Sequence, residues 1–344
     1  MKILFFSRLF YPHIGGVEKH VMELSKVLTK KGHTVTVITE AQEDTPLIEQ
    51  KNGIYIYRIF AGKDEWYKKF RIWVELWKLR RLIKEADVVH CHDVFFWYLP
   101  FRVLYLQKPV YTTFHGYESY PVSPKAILIR KISEILCLGN ICIGEFIKKW
   151  YGTRPTFILY GGVDTLKIAS RSRENDRRDK RSGVFIGRLN EQTGILTYIR
   201  GFYLIEQKYP DFQLIVVGDG KYRKYIKRRI RVLGWRKDPE KYLVKYRFAC
   251  VSGYLSILEA LATKRLVFAV YDNPLKKDYL EMTPFSDYII IVKDEFELAE
   301  QILYFLNHPK EEKQLVNAGY TWVKRQTWEM VANRYLTLWT KKQI

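Results

Sequence analysis

The sequence predicts an α/β protein of two domains, each a doubly wound and mostly parallel sheet, with the two domains facing each other across a cleft at their strand ends. Three observations support this fold class. Short, continuously apolar runs alternate with helical patterns in both halves of the chain, as expected for buried parallel strands. A charged, apolar-poor segment at 171–183 separates the halves and predicts a linker. The length of 344 residues suits two domains of ordinary size.

The first domain is predicted over residues 1–170 and begins with a βαβ unit. A buried strand at 2–6 leads to Gly15 and Gly16, which open a helix, and a second strand follows at 35–39. Adjacent glycines at a helix start let backbone N–H groups approach a phosphate closely. The pair does not form the GxGxxG pattern, so a nicotinamide dinucleotide site has little support.

Two further strands of this domain end in histidines. The segment 87–93 places His90 and His92 on one strand face, and the segment 110–116 ends at His115. The carboxyl end of a parallel strand is where α/β proteins build their sites. His90 and His92 could begin a metal site, but the sequence offers no third ligand, and we expect no bound metal.

The second domain is predicted over 184–324 and is organised around the stretch 251–270. This stretch contains a strand end, a turn at 252–254, a short helix with one carboxylate, Glu259, among apolar residues, and a new strand. Such a helix start directs free N–H groups and a positive dipole end above the sheet, which suits a phosphate or sugar hydroxyls. The alternative is that Glu259 occupies a solvated position on an ordinary helix. The segment 325–344 is predicted as a helix that returns to the first domain.

Composition limits the cellular setting. The chain has no apolar run of about 18 residues, so we predict no transmembrane helix, and its N-terminus is typical of a buried strand rather than a signal peptide. Four cysteines without CxxC spacing favour a reduced, cytoplasmic protein. The net charge of +21 suits an anionic membrane surface, a phosphate-rich substrate or nucleic acid, or it is a solvated basic surface. No nucleic-acid motif accompanies it, which disfavours nucleic acid as a partner.

A basic, aromatic-rich segment at 63–87 predicts an amphipathic helix. Trp66, Phe70, Trp73 and Trp77 lie among eight Lys and Arg residues. This composition suits an anionic membrane surface and therefore a peripheral protein on the inner face of the membrane. The alternative is an ordinary helix that covers a sheet and has a charged outer face.

Several short segments follow one another in a telling order along the chain. They are FYPHIGGVEKHVMELSKVL near the N-terminus, TTFHG at 112–116, YGGVD at 160–164, GRL at 187–189, VVGDG at 216–220 and SGYLSILEALA at 252–262. Together they resemble glycosyltransferase family 4, the retaining, nucleotide-sugar-dependent enzymes with a GT-B fold of two Rossmann-like domains. The first segment is most similar to members that glycosylate phosphatidylinositol or other membrane lipids.

The resemblance implies a hexosyltransferase that uses a UDP- or GDP-linked sugar as donor, a lipid or glycan as acceptor, and no metal or other cofactor. Arg188 would bind the donor diphosphate and stabilise the leaving nucleotide, Glu259 would accept hydrogen bonds from ribose hydroxyls, and His115 would lie at the reacting sugar. The implied catalytic residues are thus His115, Arg188 and Glu259. The implied donor-binding residues are Gly15, Gly16, Arg188, Gly218, Ser252, Gly253, Tyr254, Leu255, Ser256, Ile257 and Glu259.

The chain departs from the family pattern at two positions. Thr193 stands where the family has a phosphate-binding lysine, and Val251 stands where it has a second glutamate near the donor sugar. A missing cation would weaken stabilisation of the leaving group, and a valine cannot hydrogen-bond a sugar hydroxyl. A catalytically weak or inactive GT-B scaffold that acts as a partner or sugar-binding protein is therefore the alternative function.

Overall fold

The chain divides into two compact units in the computed structural model. The structure describes residues 1–13, 15–62, 67–165, 179–227 and 229–340. Unit 1 contains Met1–Leu159 and Trp328–Ile344, and unit 2 contains Tyr160–Thr327. This division falls earlier than the predicted boundary at 170. Most of the predicted linker lies outside the described residues, and its last part, from Asp179, already belongs to a strand.

Unit 1 alternates strands with helices. Its strands are β1 (Lys2–Ser7), β2 (Thr34–Glu40), β3 (Ile48–Lys51), β4 (Ile54–Ile59), β5 (Val88–His92), β6 (Val110–Phe114), β7 (Asn140–Ile143) and β8 (Phe157–Leu159). Its helices are α1 (Gly16–Lys30), α2 (Lys68–Lys78), α3 (Arg80–Glu85), α4 (Phe95–Leu104), α5 (Pro124–Leu136) and α6 (Phe146–Tyr151). Within the described residues these strands form one eight-stranded sheet in the order β3-β4-β2-β1-β5-β6-β7-β8.

The sheet of unit 1 is parallel except at one edge. The exposed strand β3 runs antiparallel to β4 and was not predicted, because its residues IEQK lack an apolar pattern. The chain order reverses between β1 and β5, where Phe5 pairs with His90 and Ser7 with His92. A reversal of this kind opens a crevice outside the carboxyl ends of the two strands, where α/β proteins bind ligands.

The predicted helix at 63–87 is in fact two helices. Residues 63–66, including Trp66, lie outside the described residues, α2 begins at Lys68, and the chain bends at Leu79 before α3 begins. Ile72 and Leu76 are the buried side chains of α2. No helix in the described part of the chain combines the length and the apolar character that a membrane crossing requires.

Unit 2 repeats the pattern with a second parallel sheet. Its strands are β9 (Asp179–Ile186), β10 (Gln213–Val217), β11 (Arg231–Val232), β12 (Tyr246–Cys250), β13 (Leu266–Val270) and β14 (Ile290–Val292). Its described helices are α7 (Ile195–Lys208), α8 (Glu240–Leu243), α9 (Tyr254–Ala262), α10 (Pro274–Glu281), α11 (Glu295–Asn307) and α12 (Pro309–Val323). The described strands are ordered β11-β10-β9-β12-β13-β14, so the chain order reverses between β9 and β12.

A last helix, α13 (Trp328–Thr340), belongs to unit 1. It packs against α1 and buries Tyr335 and Trp339 above the sheet. The helix therefore completes the core of unit 1 with residues from the far end of the chain.

Candidate functional site

The reversal point of unit 2 carries the predicted Arg188. This residue follows β9 at its carboxyl end, on a loop that lies against the next loop of the sheet through backbone contacts. Gly218 has a φ of 153°, and a Cβ there would lie 1.9 Å from the Gly187 carbonyl oxygen. The Leu189 amide donates to the Asp219 carbonyl oxygen at 2.9 Å. Gly218 therefore supports the Arg188 loop, which explains the VVGDG segment without requiring a direct contact to a donor.

The Arg188 side chain itself is exposed and makes no hydrogen bond or ion pair with the part of the chain that the structure describes. Folding therefore leaves the guanidinium available for an anionic ligand. Its planar fork and permanent charge suit a diphosphate.

Thr193 and Ser252 join this loop to the start of α9. The Thr193 hydroxyl donates to the Arg188 carbonyl oxygen at 2.7 Å and lies 2.9 Å from the Asn190 carbonyl oxygen. The Ser252 hydroxyl donates to the Thr193 carbonyl oxygen at 3.2 Å. Thr193 thus fixes the loop that carries Arg188, and the turn after β12 lies directly beside that loop.

The N-terminus of α9 is the second part of this site. Gly253 is exposed, Leu255 and Ser256 are half-buried, and their amides are among the first-turn groups without a helical partner. The other two amides predicted to bind donor are already used, because Tyr254 donates to the Tyr279 hydroxyl at 3.0 Å and Ile257 donates within the helix to Gly253. These two amides are therefore already hydrogen-bonded within the protein, and the donor-binding role of Tyr254 and Ile257 stays a prediction.

Glu259 lies one turn further along α9 and is 7% exposed. A carboxylate this buried is not a solvated surface residue, so the alternative interpretation from the sequence is wrong. Val251 is fully buried in the core before the turn. Arg265 donates to the carbonyl oxygens of Leu243 and Val244, a structural role away from this turn.

Lys276 on α10 is a member of this region that sequence reasoning missed. Its Nζ donates to the Ser252 carbonyl oxygen at 2.6 Å, and its side chain is buried. Burial lowers the pKa of Lys276 to about 7, although nearby Asp272 opposes the shift. Only the path of the chain after β13 brings Lys276 to the turn, so no local pattern could have signalled it.

The reversal point of unit 1 carries the glycine pair. Gly15 caps α1, and a Cβ there would lie 2.4 Å from a carboxylate oxygen of Glu18. Gly16 is exposed, and a Cβ there would meet nothing within 4 Å. Glu18 also lies 3.3 Å from the His13 ring. A carboxylate thus already occupies the first turn of α1, which makes this helix start a poorer phosphate site than the one in unit 2.

Four histidines gather beside the glycine pair of unit 1. His90 and His92 point from β5, His20 from α1 and His115 from the end of β6, with ring centroids of His20 and His115 separated by 4.8 Å. Burial lowers the pKa of all four, that of His20 to about 3, so the cluster is neutral at ordinary pH. No group of three His, Cys, Asp or Glu side chains among the described residues has the arrangement of a metal site.

The C-terminal helix supplies polar partners to this cluster. The Tyr335 hydroxyl lies 3.0 Å from His20 Nε2 and 2.8 Å from the Thr113 hydroxyl. Trp339 Nε1 donates to His90 Nδ1 at 3.0 Å. These contacts span more than 200 residues of sequence and hold the histidine side chains in fixed orientations.

The proton positions of the His92–His115 pair follow from burial. His92 Nδ1 and His115 Nε2 are 2.8 Å apart, and His92 Nε2 is buried without a hydrogen-bond partner. An unpaired buried N–H costs more than an unpaired acceptor nitrogen, so His92 carries its proton on Nδ1 and donates it to His115. His115 is then protonated on Nδ1, which makes it a hydrogen-bond donor on its other side.

Asp93 follows β5 and holds His115 from the backbone side. Its Oδ1 accepts the His115 amide proton at 3.0 Å, and its φ of 61° turns the chain sharply. Desolvation of its carboxylate by the surrounding protein raises the pKa of Asp93 to about 6, while the positive charge of Arg130 opposes this shift. Asp93 was not among the predicted site residues, although its place directly after a buried strand could have indicated a site residue.

Both units match known protein families. The family model for Glycosyltransferase Family 4 matches residues 14–166, and the model for glycosyl transferases group 1 matches residues 180–308. Residues 14–166 thus belong to glycosyltransferase family 4, and residues 180–308 belong to glycosyl transferases group 1. The first match contains the glycine pair and His115, and the second contains Arg188 and Glu259.

Two curated relatives of this chain are named for phosphatidylinositol. The phosphatidyl-myo-inositol mannosyltransferase of Mycobacterium tuberculosis H37Rv is 25% identical over 60% of this chain and 57% of its own length. The phosphatidylinositol N-acetylglucosaminyltransferase GPI3 subunit of Saccharomyces cerevisiae YJM789 is 23% identical over 61% of this chain and 51% of its own length. The matched part therefore spans little more than half of each relative.

Solved structures show the fold. Anabaena HepE, crystallised with UDP and glucose, matches with a TM-score of 0.72 at 15% identity, over 98% of both chains. The two parallel-sheet units of this chain thus have the GT-B fold, as the sequence predicted.

Proposed function

We propose that this protein transfers a hexose from a UDP- or GDP-linked sugar to a lipid acceptor at an anionic membrane surface, with retention of the anomeric configuration. The observation that carries the proposal is the reversal point of unit 2. There an exposed, uncommitted Arg188 adjoins the N-terminus of α9, and both lie outside the carboxyl ends of β9 and β12. The family membership and the names of the relatives supply the reaction class and the lipid acceptor.

Each named residue has a chemical task in this reaction. Arg188 offsets the charge that develops on the leaving diphosphate, and the amides at the start of α9 assist it. Glu259 accepts hydrogen bonds from the ribose hydroxyls. His115 donates from Nδ1 to a sugar hydroxyl in its neutral form. The acceptor proton leaves with the departing phosphate, so the reaction needs no metal and no protein nucleophile.

The test combines donor binding with transfer. Nucleoside diphosphates and their sugars are screened by thermal shift, because a ligand that binds the folded protein raises its melting temperature. The donors that bind are then mixed with phosphatidylinositol vesicles, and the product's anomeric configuration is read by NMR. We expect a UDP- or GDP-sugar to stabilise the protein and to yield a glycolipid with the donor's configuration.

The other outcomes distinguish the alternatives. Donor binding without turnover on any lipid or glycan would favour the inactive scaffold that Thr193 and Val251 suggested. Failure of every nucleotide and nucleotide sugar to bind would remove the donor assignment. A product of inverted configuration would overturn retention alone.

The membrane part of the proposal rests on exposed apolar side chains of unit 1. Helices α2, α4 and α5 each connect strands that advance in the same direction along the sheet, so they cover the same face. Their outer surfaces expose large apolar side chains, including Ile135 at 78% and Val103 at 73%. The set, which we call the apolar face, is Phe70, Val74, Trp77, Val103, Leu104, Leu106, Leu128, Ile132 and Ile135.

The charge around the apolar face suits anionic lipid. Basic residues on the same helices include Lys69, Arg102 and Lys125, and Arg80 stacks on the Trp77 ring at 5.1 Å. Contiguous apolar surface bordered by basic side chains is typical of peripheral membrane binding. We place the protein at the inner face of the cytoplasmic membrane. Trp73, by contrast, donates from Nε1 to the Phe96 carbonyl oxygen and is half-buried, so we leave it out of the apolar face.

Replacing Trp77, Ile132 and Ile135 together by Ser is expected to lower binding to anionic vesicles by about 100-fold or more. Each exposed side chain that enters the lipid contributes about 1–2 kcal/mol. Vesicle flotation measures the bound fraction. The exposed Phe296 of unit 2 provides a matched control, since Phe296→Ser should float like wild type. Equal flotation of the triple variant and wild type would refute the apolar face as the lipid contact.

A further inference from the structure

Lys276 and Tyr279 clamp the turn that precedes α9. Lys276 Nζ donates to the Ser252 carbonyl oxygen at 2.6 Å and lies 3.9 Å from the centre of the Tyr279 ring. Tyr279 in turn accepts the Tyr254 amide proton through its hydroxyl and stacks on the Tyr254 ring at 4.0 Å. The Tyr254 hydroxyl donates back to the Tyr279 carbonyl oxygen at 2.6 Å. Helix α10 thus fixes the first residues of α9 from one side.

The clamp contains a buried positive charge without an ion-pair partner. No carboxylate among the described residues lies within ion-pair distance of Lys276 Nζ. Asp272, whose field favours the charged amine, instead accepts a hydrogen bond from Asn273 at 2.8 Å. The other groups that the described residues place against the amine are the Ser252 carbonyl oxygen and the face of the Tyr279 ring. Burying an ammonium in this way is costly unless a negatively charged group offsets the charge.

Hydrogen bonds connect this charge to Arg188. Lys276 Nζ donates to the Ser252 carbonyl oxygen, and the Ser252 hydroxyl donates to the Thr193 carbonyl oxygen. The Thr193 hydroxyl in turn donates to the Arg188 carbonyl oxygen. Lys276 on α10 is therefore connected through these hydrogen bonds to the loop that carries Arg188. Thr193 offers no charge, whereas Lys276 supplies a cationic side chain to this chain of hydrogen bonds.

We propose that Lys276 is a positioning residue of the donor site, which orients the first turn of α9 through Ser252 and makes the binding of an anionic donor depend on the charge of its own ammonium. The inference rests on the proposed function, because it takes a nucleoside diphosphate sugar as the anion. A bound diphosphate stabilises the protonated amine, and the protonated amine equally stabilises the bound diphosphate.

The experiment measures donor affinity at two pH values by isothermal titration calorimetry. The probes are UDP-glucose and GDP-mannose, because the diphosphate of a nucleotide sugar has no proton to lose between pH 6 and pH 8. Without a bound donor, Lys276 has a pKa of about 7. Wild type should therefore bind the accepted probe several-fold more tightly at pH 6 than at pH 8, and should take up a proton on binding. Lys276→Met should bind about 10-fold more weakly at pH 6 and lose most of the pH dependence.

Two further variants separate charge from packing. Lys276→Arg keeps a charge at both pH values, so it should retain affinity at pH 8 and lose the pH dependence. Lys277→Met, next to it on α10 and exposed, should behave like wild type. An unchanged pH dependence in folded Lys276→Met would overturn the inference and leave the proposed function intact. Failure of wild type to bind either probe would overturn both, which distinguishes the two results.

Discussion

Replacing Arg188 by Ala is expected to lower kcat for sugar transfer by about 100- to 1,000-fold. In the proposed reaction the guanidinium offsets the negative charge that develops on the leaving diphosphate. Because its side chain is exposed and makes no contact by hydrogen bond or ion pair within the described residues, folding does not depend on it. The variant should therefore unfold at the wild-type temperature while activity is lost. Turnover assays together with thermal unfolding measure the two effects separately.

The other end of the same strand provides the control for Arg188. Arg181 lies near the start of β9, is about half exposed and pairs with Asp211 at 2.9 Å, so Arg181→Ala removes the same charge far from the reversal point. Its kcat should remain within about 2-fold of wild type, since a surface ion pair contributes little. Equal losses of activity in both variants would attribute the effect to net charge. A fully active Arg188→Ala variant would remove Arg188 from the catalytic residues.

Local patterns explain why much of the fold could be predicted. Buried parallel strands such as β1 and β10 are continuous apolar runs, and each ends where a polar loop must begin. The helix around Glu259 was predicted because its apolar spacing and the turn before it are both local features. Arg188 and His115 were identified through the family resemblance at their strand ends. Each of these signals lies within about ten residues of sequence.

Contacts between distant segments explain what could not be predicted. Lys276 reaches Ser252 only because α10 returns over the turn, and Tyr335 reaches Thr113 across most of the chain. The hydrogen bond from the Tyr254 amide to the Tyr279 hydroxyl is another such contact, because it too depends on the return of α10 over the turn. The position of Thr193 suggested a missing phosphate contact. Its hydroxyl instead donates to the Arg188 carbonyl oxygen and so stabilises the Arg188 loop.

The histidine cluster predicts a strong loss of stability in mild acid. Between pH 7 and pH 5.5 the free energy of unfolding should fall by about 4 kcal/mol. Burial lowers the pKa of all four histidines of the cluster below 6.5, so below that pH the unfolded chain binds protons that the folded chain does not. Stability is therefore complete above pH 6.5 and decreases as the pH falls. Asp93 acts in the opposite direction, because its raised pKa of about 6 penalises the folded state as pH rises from 3.8, and it offsets part of the loss.

Urea unfolding at pH 7.0, 6.0 and 5.5 measures this dependence, and a histidine variant assigns it. His20→Phe removes one of the four histidines of the cluster, so the decrease in unfolding free energy over this range should shrink by about a quarter, whatever the variant's stability at pH 7. The exposed His308 supplies the control, since His308→Phe should leave the pH dependence unchanged. A wild-type unfolding free energy that stays constant from pH 7 to 5.5 would mean that the cluster accepts protons while folded. His115 could then not be the neutral Nδ1–H donor that the proposed reaction requires, so the same titration tests the stability of unit 1 and the protonation state of its candidate catalytic residue.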